Sequence, residues 1–139
     1  MDQVGSFLIY DQIMDMIERE SFASIGGPAI GAIPIVQAVS AIGNQHAVYF
    51  RSFFVRGRPK GHGVDTAIEG NFMDGDRVIM VDDVTTTGAS ILSAVREVRA
   101  RGATVQKAIS IVDREEGAVK ALRNNGIELL PIFKKSDLV

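Results

Sequence analysis

Two adjacent carboxylates followed by a run of hydroxyl side chains form the segment of this sequence best suited to chemistry. Asp82 and Asp83 follow an apolar stretch, and residues 85–90, here called the hydroxyl-rich turn, come directly after Val84. Carboxylates can accept hydrogen bonds from vicinal sugar hydroxyls, whereas threonine hydroxyls and free amides at the start of a helix can hold a phosphate. The pattern predicts a site for a phosphorylated sugar. Taken alone, the acid pair is equally typical of a solvated turn that caps a helix.

A second candidate group is basic and lies on a glycine-rich loop. Arg56, Arg58, Lys60 and His62 alternate with glycine and proline, and no Asp or Glu occurs between residues 21 and 64. A solvated surface loop would have the same composition. A nucleic-acid patch is a further alternative, but no aromatic residues interleave with the charges to stack on bases. Because the region from residue 21 to residue 64 carries these cations and no acid, it could receive a polyanion.

Alternating strand and helix patterns surround these candidates. Apolar residues at helical spacing predict helices, and short runs of β-branched and aromatic residues predict strands. Since parallel strands joined through helices form a sheet covered on both faces, we predict an α/β fold with Asp82 and Asp83 at the carboxyl edge, where ligands bind in such sheets. The predicted helices span about residues 5–20, 33–42, 91–98 and 115–123, and the predicted strands span about residues 22–25, 47–55, 78–81, 104–112 and 127–133.

Composition limits the classes of protein that need to be considered. With 139 residues, 46% of them hydrophobic, the chain has the size of one domain, and we assign residues 1–139 to it. A net charge of -2 argues against general binding to nucleic acid or anionic lipid. The absence of cysteine excludes disulfides, thiolate metal sites and cysteine nucleophiles. No apolar run is long enough to span a bilayer, and we expect a soluble, cytoplasmic protein.

Residues 78–90, Val-Ile-Met-Val-Asp-Asp-Val-Thr-Thr-Thr-Gly-Ala-Ser, resemble the phosphoribosyl pyrophosphate (PRPP) motif of type I phosphoribosyltransferases. The resemblance implies that family's core, a parallel sheet flanked by helices. It also implies that Asp82 and Asp83 hold the ribose 2- and 3-hydroxyls, with Mg²⁺ bound mainly through ribose and pyrophosphate oxygens and no metal ligand assigned in the chain. The implied 5-phosphate site consists of Thr85, Thr86, Thr87, Gly88, Ala89 and Ser90, and Val84 is counted with them among the substrate-binding residues.

The basic loop resembles the catalytic loop of orotate phosphoribosyltransferases, whose pattern is Arg-Lys-x-x-Lys-x-His-Gly. Arg56, Lys60, His62 and Gly63 match this pattern, whereas Gly57 stands where a second basic residue is common. In that family the loop closes over the pyrophosphate, often on the active site of a partner subunit. The resemblance therefore implies a homodimer in which Lys60 and His62 assist departure of pyrophosphate and Arg56 contributes to binding.

Two further segments extend the resemblance. Residues 26–34, Gly-Gly-Pro-Ala-Ile-Gly-Ala-Ile-Pro, resemble the pyrophosphate-binding loop of orotate phosphoribosyltransferases, with Gly31 in place of a lysine found in some members; the alternative is a tight strand-to-helix connection. Asp113 and Glu116 read first as the capping box of the last helix. Arg114 matches the arginine that contacts orotate in that family, which suits a carboxylated pyrimidine.

The implied activity is transfer of the 5-phosphoribosyl group from PRPP to orotate, giving orotidine 5-phosphate and pyrophosphate. Orotate phosphoribosyltransferases usually carry an N-terminal hood, and we expect this chain to start after most of it. Two alternatives stay open. One is a PRPP-binding regulatory protein without turnover, suggested by the missing hood, Gly31 and Gly57; the other is a phosphoribosyltransferase that uses a purine base.

Overall fold

The computed structural model describes residues 2–17, 21–57 and 67–138. Arg58, Lys60 and His62 of the basic loop lie outside the described residues. None of the helices in the described part of the chain has the length and apolar character needed to cross a membrane. In chain order the elements are α1 (Gln3–Ile17), β1 (Ser24–Pro28), α2 (Ile33–Gln45), β2 (Arg51–Val55), β3 (Ile68–Gly70), β4 (Arg77–Thr85), α3 (Ala89–Arg99), β5 (Thr104–Asp113), α4 (Ala118–Arg123), β6 (Glu128–Lys134) and a 3-10 turn (Lys135–Asp137).

The strands form one sheet in the order β3-β2-β1-β4-β5-β6. Every neighbouring pair is parallel except β2 and β3, which run antiparallel. The predicted α/β class is therefore confirmed, with an antiparallel edge strand that the sequence did not predict. Because β3 has only three residues, it is too short to show an alternating pattern.

Helices cover both faces of this sheet, and each face has its own apolar core. Alternate residues of β4 point to opposite faces, so that Val78 and Met80 join one core while Ile79 and Val81 join the other. The first core contains Ile91, Val95 and Val98 of α3 and Ala118 and Leu122 of α4. The second contains Tyr10 and Ile13 of α1 and Ile35, Val36, Val39 and Ile42 of α2.

Gly26 and Gly27, where the sequence predicts the end of a strand, lie within β1. A Cβ atom on Gly26 would approach the Phe53 ring to 2.5 Å, and one on Gly27 would lie 1.9 Å from the Val81 carbonyl oxygen. Only glycine fits these positions, because the neighbouring strands and side chains leave no room for a larger residue. The glycines therefore allow close packing of β1, and the predicted end of the strand before Gly26 was wrong.

Other boundaries also differ from the sequence-based expectation, and α2 continues through Gln45, past its predicted end at residue 42. The strand that carries the acid pair continues through Thr85, so Asp82 and Asp83 lie inside β4 and not beyond it. β2 begins at Arg51, later than predicted. The predicted capping box of Asp113 and Glu116 was also wrong. α4 begins at Ala118, the preceding Gly117 has φ of 108°, and no side chain caps the helix.

The strand order places a crevice between β1 and β4. From β1 the chain passes through α2 to β2 on one side, and from β4 it passes through α3 to β5 on the other side. The loops after β1 and β4 consequently diverge at the carboxyl edge of the sheet. A crevice at such a switch point is the usual ligand site of open α/β sheets.

Candidate active site

The acid pair faces the loop that follows β1. A Cβ atom placed on Gly31 would lie 2.3 Å from Asp83 Oδ1 and 2.7 Å from Asp82 Oδ1. Any side chain at position 31 would therefore displace these carboxylates. The glycine at this position allows the loop and the acid pair to line the same crevice.

The two carboxylates of the pair have different environments. Asp82 is 6% exposed, and Asp83 is exposed. Burial raises the pKa of Asp82 to about 7; the Asp83 amide, which donates to Asp82 Oδ1 at 2.9 Å, opposes this rise, whereas the Asp83 side chain adds to it. The Asp83 carboxylate accepts a hydrogen bond from the Val84 amide at 2.7 Å. Near neutral pH, Asp82 can therefore accept hydrogen bonds from sugar hydroxyls as a carboxylate or donate one as an acid.

The hydroxyl-rich turn surrounds a small cavity at the start of α3. The cavity has a volume of about 110 Å³ and is lined by Asp82 and residues 84–91. Gly88 has φ of 87° and, as the residue before α3, has no side chain that could cap it. The Ala89 amide donates to Thr87 Oγ1 at 3.3 Å, and the amides that follow it in the first turn are available to a ligand. Thr86 and Thr87 are exposed. Hydroxyls and free amides around a cavity of this size suit a phosphate group.

Thr85 has a different environment from the other two threonines of the turn. It is 3% exposed, and its Oγ1 lies 3.3 Å from both Ser110 Oγ and Asp113 Oδ1 on β5. Sequence reasoning did not identify this buried polar group. The available signal was Ser110, a hydroxyl residue within the otherwise apolar segment 108–112.

Arg56 lies immediately after β2, on the other side of the crevice. Its Nε is 3.0 Å from Glu69 Oε1 of β3, and both side chains are about half exposed. Arg56 and Gly57 also line a cavity of about 300 Å³ together with Ala29 and the first turn of α3, including Ser90. The structure thus brings Arg56 to the crevice that contains the hydroxyl-rich turn.

Arg114 lies beside the hydroxyl-rich turn at the end of β5. Its amide donates to the Thr85 carbonyl oxygen at 2.9 Å, and its Nε is 3.6 Å from Glu116 Oε2. Since the guanidinium is about half exposed, it is accessible to a ligand. The structure therefore places Arg114 next to Thr85, at the start of the hydroxyl-rich turn.

Within residues 2–17, 21–57 and 67–138, no group of three or more His, Cys, Asp or Glu side chains is placed to hold a metal ion. The acid pair supplies two carboxylates to the crevice. A metal ion that entered with an oxygen-rich ligand could complete its coordination from that ligand and from water.

The sequence is similar to a family model and to several known proteins. Residues 5–125 match the model of the phosphoribosyl transferase domain. The sequence is 47% identical over 113 residues to orotate phosphoribosyltransferase from Methanothermobacter thermautotrophicus, covering 81% of this chain and 60% of that protein. It is 38% identical over 131 residues to the orotate phosphoribosyltransferase from Methanocaldococcus jannaschii, covering 94% of this chain and 71% of that protein. The chain therefore spans less than two thirds of the first relative.

A solved structure is similar over nearly the whole chain. The crystal structure of Mycobacterium tuberculosis orotate phosphoribosyltransferase in complex with PRPP aligns with a TM-score of 0.81 and 30% sequence identity. The alignment covers 96% of this chain and 75% of that chain.

Proposed function

The chain belongs to the phosphoribosyl transferase domain family, and on this premise we propose that it transfers the 5-phosphoribosyl group from PRPP to orotate, giving orotidine 5-phosphate and pyrophosphate. One observation carries the proposal: the acid pair and the hydroxyl-rich turn meet Arg114 at one crevice, where the Arg114 amide is bonded to the Thr85 carbonyl. This contact supports an arrangement in which a sugar site, a phosphate site and a guanidinium for the acceptor carboxylate would be contiguous.

The reaction breaks the bond between ribose C1 and a pyrophosphate oxygen, whose electron pair leaves with pyrophosphate. The lone pair of a base nitrogen forms the new bond to C1, and the base loses its proton. Positive charge develops on the ribose during this exchange. The carboxylates of Asp82 and Asp83, hydrogen-bonded to the ribose hydroxyls, would stabilise that charge, since groups of opposite sign placed in advance lower the barrier.

The remaining roles follow from the positions of the described residues and, for Lys60 and His62, from the family resemblance of the basic loop. Thr86, Thr87 and the amides at the start of α3 would hold the 5-phosphate, and Arg114 would form a bidentate hydrogen bond with the orotate carboxylate. Arg56 would approach the pyrophosphate, with Lys60 and His62 assisting its departure. Mg²⁺, when bound, neutralises charge on the leaving group. We also propose that residues 1–139 form one domain and that the protein is cytoplasmic. A homodimer is proposed as well, supported by the family resemblance of the basic loop.

The direct test is orotate-dependent release of pyrophosphate from PRPP in the presence of Mg²⁺. We expect turnover with orotate and none with adenine, guanine or hypoxanthine. Saturable PRPP binding by the folded protein without turnover on any base would contradict the enzyme and favour a PRPP-binding regulatory protein. Turnover with a purine alone would retain the enzyme class and overturn the acceptor.

Arg114 is the residue that distinguishes orotate from a purine. Loss of a charged hydrogen-bond partner should raise the orotate KM of Arg114→Ala by about 10- to 100-fold, with the PRPP KM little changed. The matched control is Arg101→Ala, since Arg101 is also partly exposed and pairs with Asp74 in the turn before β4, at the opposite edge of the sheet. Equal effects of the two substitutions would contradict the assignment.

A further inference from the structure

Asp113 is a buried carboxylate that the proposed reaction does not use directly. It is the last residue of β5 and is 1% exposed. Its backbone lies in register with Thr85 of β4 and Lys134 of β6. The carboxylate is thus enclosed at the carboxyl edge of three adjacent strands, next to the crevice.

One oxygen of this carboxylate contacts both segments that meet at the crevice. Asp113 Oδ1 lies 3.3 Å from Thr85 Oγ1, at the start of the hydroxyl-rich turn. The same oxygen accepts a hydrogen bond from the Glu115 amide at 3.0 Å. Asp113 therefore joins the start of the proposed phosphate site to the segment that carries Arg114.

The backbone around Arg114 is held at several points. The Arg114 amide donates to the Thr85 carbonyl at 2.9 Å. Glu115 has φ of 59°, in the left-handed region that non-glycine residues seldom adopt. Its carboxylate accepts a hydrogen bond from the Ser136 amide at 2.8 Å. The turn after Asp113 is therefore strained locally, and the hydrogen bond from the Glu115 amide to Asp113 supports it.

The usual structural role of an acid at this position does not apply. An aspartate shortly before a helix commonly caps it, but α4 starts at Ala118 after Gly117 and has no side-chain cap. Burial of a carboxylate is unfavourable unless hydrogen bonds compensate for the lost hydration. The bonds that Asp113 forms in the structure are directed to Thr85 and to the turn beside Arg114.

We propose that Asp113 is a positioning residue for the acceptor base: its Oδ1 holds the Arg114 turn against the hydroxyl-rich turn, so that the guanidinium faces a base attached at ribose C1. The inference rests on the proposed function, because it takes Arg114 as the group that binds the orotate carboxylate. A displacement of about 1 Å in a binding group can weaken a reaction by orders of magnitude.

The test separates the two substrates kinetically. In Asp113→Ala we expect the orotate KM to rise about tenfold or more, with the PRPP KM within about twofold of wild type. Asp113→Asn retains an oxygen acceptor for both contacts and should restore the orotate KM to within about threefold of wild type. If Asp113→Ala does not fold, Thr85→Val removes the contacts of the Thr85 hydroxyl with Asp113 and Ser110 but leaves the bond from the Glu115 amide to Asp113. It should raise the orotate KM more than the PRPP KM.

Asp76→Ala serves as the control for general loss of stability. Asp76 is also buried, at 6% exposure, and accepts hydrogen bonds from Arg51 and the Met73 amide, at the opposite edge of the sheet. We expect a lower melting temperature and an unchanged ratio of the two KM values. Equal rises in both KM values for Asp113→Ala, or for Thr85→Val, would overturn the inference alone. Absence of orotate turnover in the wild type would overturn the proposed function and this inference together.

Discussion

Asp82 is the residue whose chemistry depends most strongly on its surroundings. Burial raises its pKa to about 7, and the neighbouring Asp83 side chain adds to the rise. In the unfolded chain the same carboxyl ionises near its ordinary value of 3.8. The folded state therefore retains a proton on Asp82 that the unfolded state loses as the pH rises above about 4. The associated stability is present below that pH and is lost by about pH 7.

Because stability depends on the protonation of Asp82, it should change with pH in wild type differently from Asp82→Asn, whose side chain at this position is uncharged at every pH. Without a ligand, we expect the variant to be more stable than wild type at pH 8, with a difference that shrinks as the pH falls towards 4. Thermal unfolding at several pH values measures this difference. A difference between Asp82→Asn and wild type that is constant with pH would contradict the raised pKa.

The junction between β4 and α3 forms the cavity proposed to bind the 5-phosphate. β4 ends at Thr85, and α3 begins at Ala89, so the turn between them is short. Gly88 makes this turn possible through its positive φ. It also packs closely against α4: an added Cβ would lie 2.6 Å from Leu122 Cδ1 and 3.3 Å from Ala118 Cα. The turn is therefore held by the helix beside it.

Gly88→Ala should affect stability and ligand binding together. The unfavourable φ and the contact with Leu122 should lower the free energy of unfolding by about 1–3 kcal/mol. PRPP affinity should fall as well, because the amides at the start of α3 would shift. Gly75→Ala is the matched control, since Gly75 also has a positive φ of 82° but no neighbouring atom within 4 Å of an added Cβ. Calorimetric titration should show PRPP affinity close to wild type for Gly75→Ala; a similar loss in both variants would contradict the assigned role of the turn.

At the scale of the whole molecule, the crevice joins segments from both halves of the sheet. The loop after β1, the acid pair of β4 and the turn after β5 belong to separate strand–helix units, and a ligand that contacts all of them binds only the folded chain. Such binding adds to the free energy of unfolding in proportion to the logarithm of ligand concentration.

PRPP should therefore stabilise the protein as a whole. At about 100 times its Kd, a ligand of this kind adds about 2.7 kcal/mol, which corresponds to a rise in melting temperature of roughly 5–10 °C for a domain of this size. Thermal unfolding with PRPP and Mg²⁺ measures the shift. An Asp82→Asn, Asp83→Asn double variant at the same PRPP concentration should lose most of it. An unchanged shift in that variant would show that PRPP does not bind at the acid pair.

The class of fold and the strand, turn and helix that carry the acid pair could be predicted from the local pattern of residues. Apolar spacing indicated the α3 helix, an uncharged run indicated the strand before Asp82, and glycine with three threonines indicated the turn. These features depend on interactions between neighbours in the chain, which leave a readable pattern. The same local pattern misled at Gly26 and Asp113, where glycine resembled a chain break and an acid before a helix resembled a cap.

The contacts of Gly31, Thr85 and Asp82 could be learned only from the folded molecule. Gly31 lies against the acid pair, Thr85 turns its hydroxyl towards Ser110 and Asp113, and Asp82 is buried enough to raise its pKa to about 7. Each of these facts involves residues from strands that are distant in the sequence and adjacent in the sheet. The physical reason is that burial and hydrogen-bond partners are set by strand order and register, and neither is encoded in the spacing of residues along a single segment.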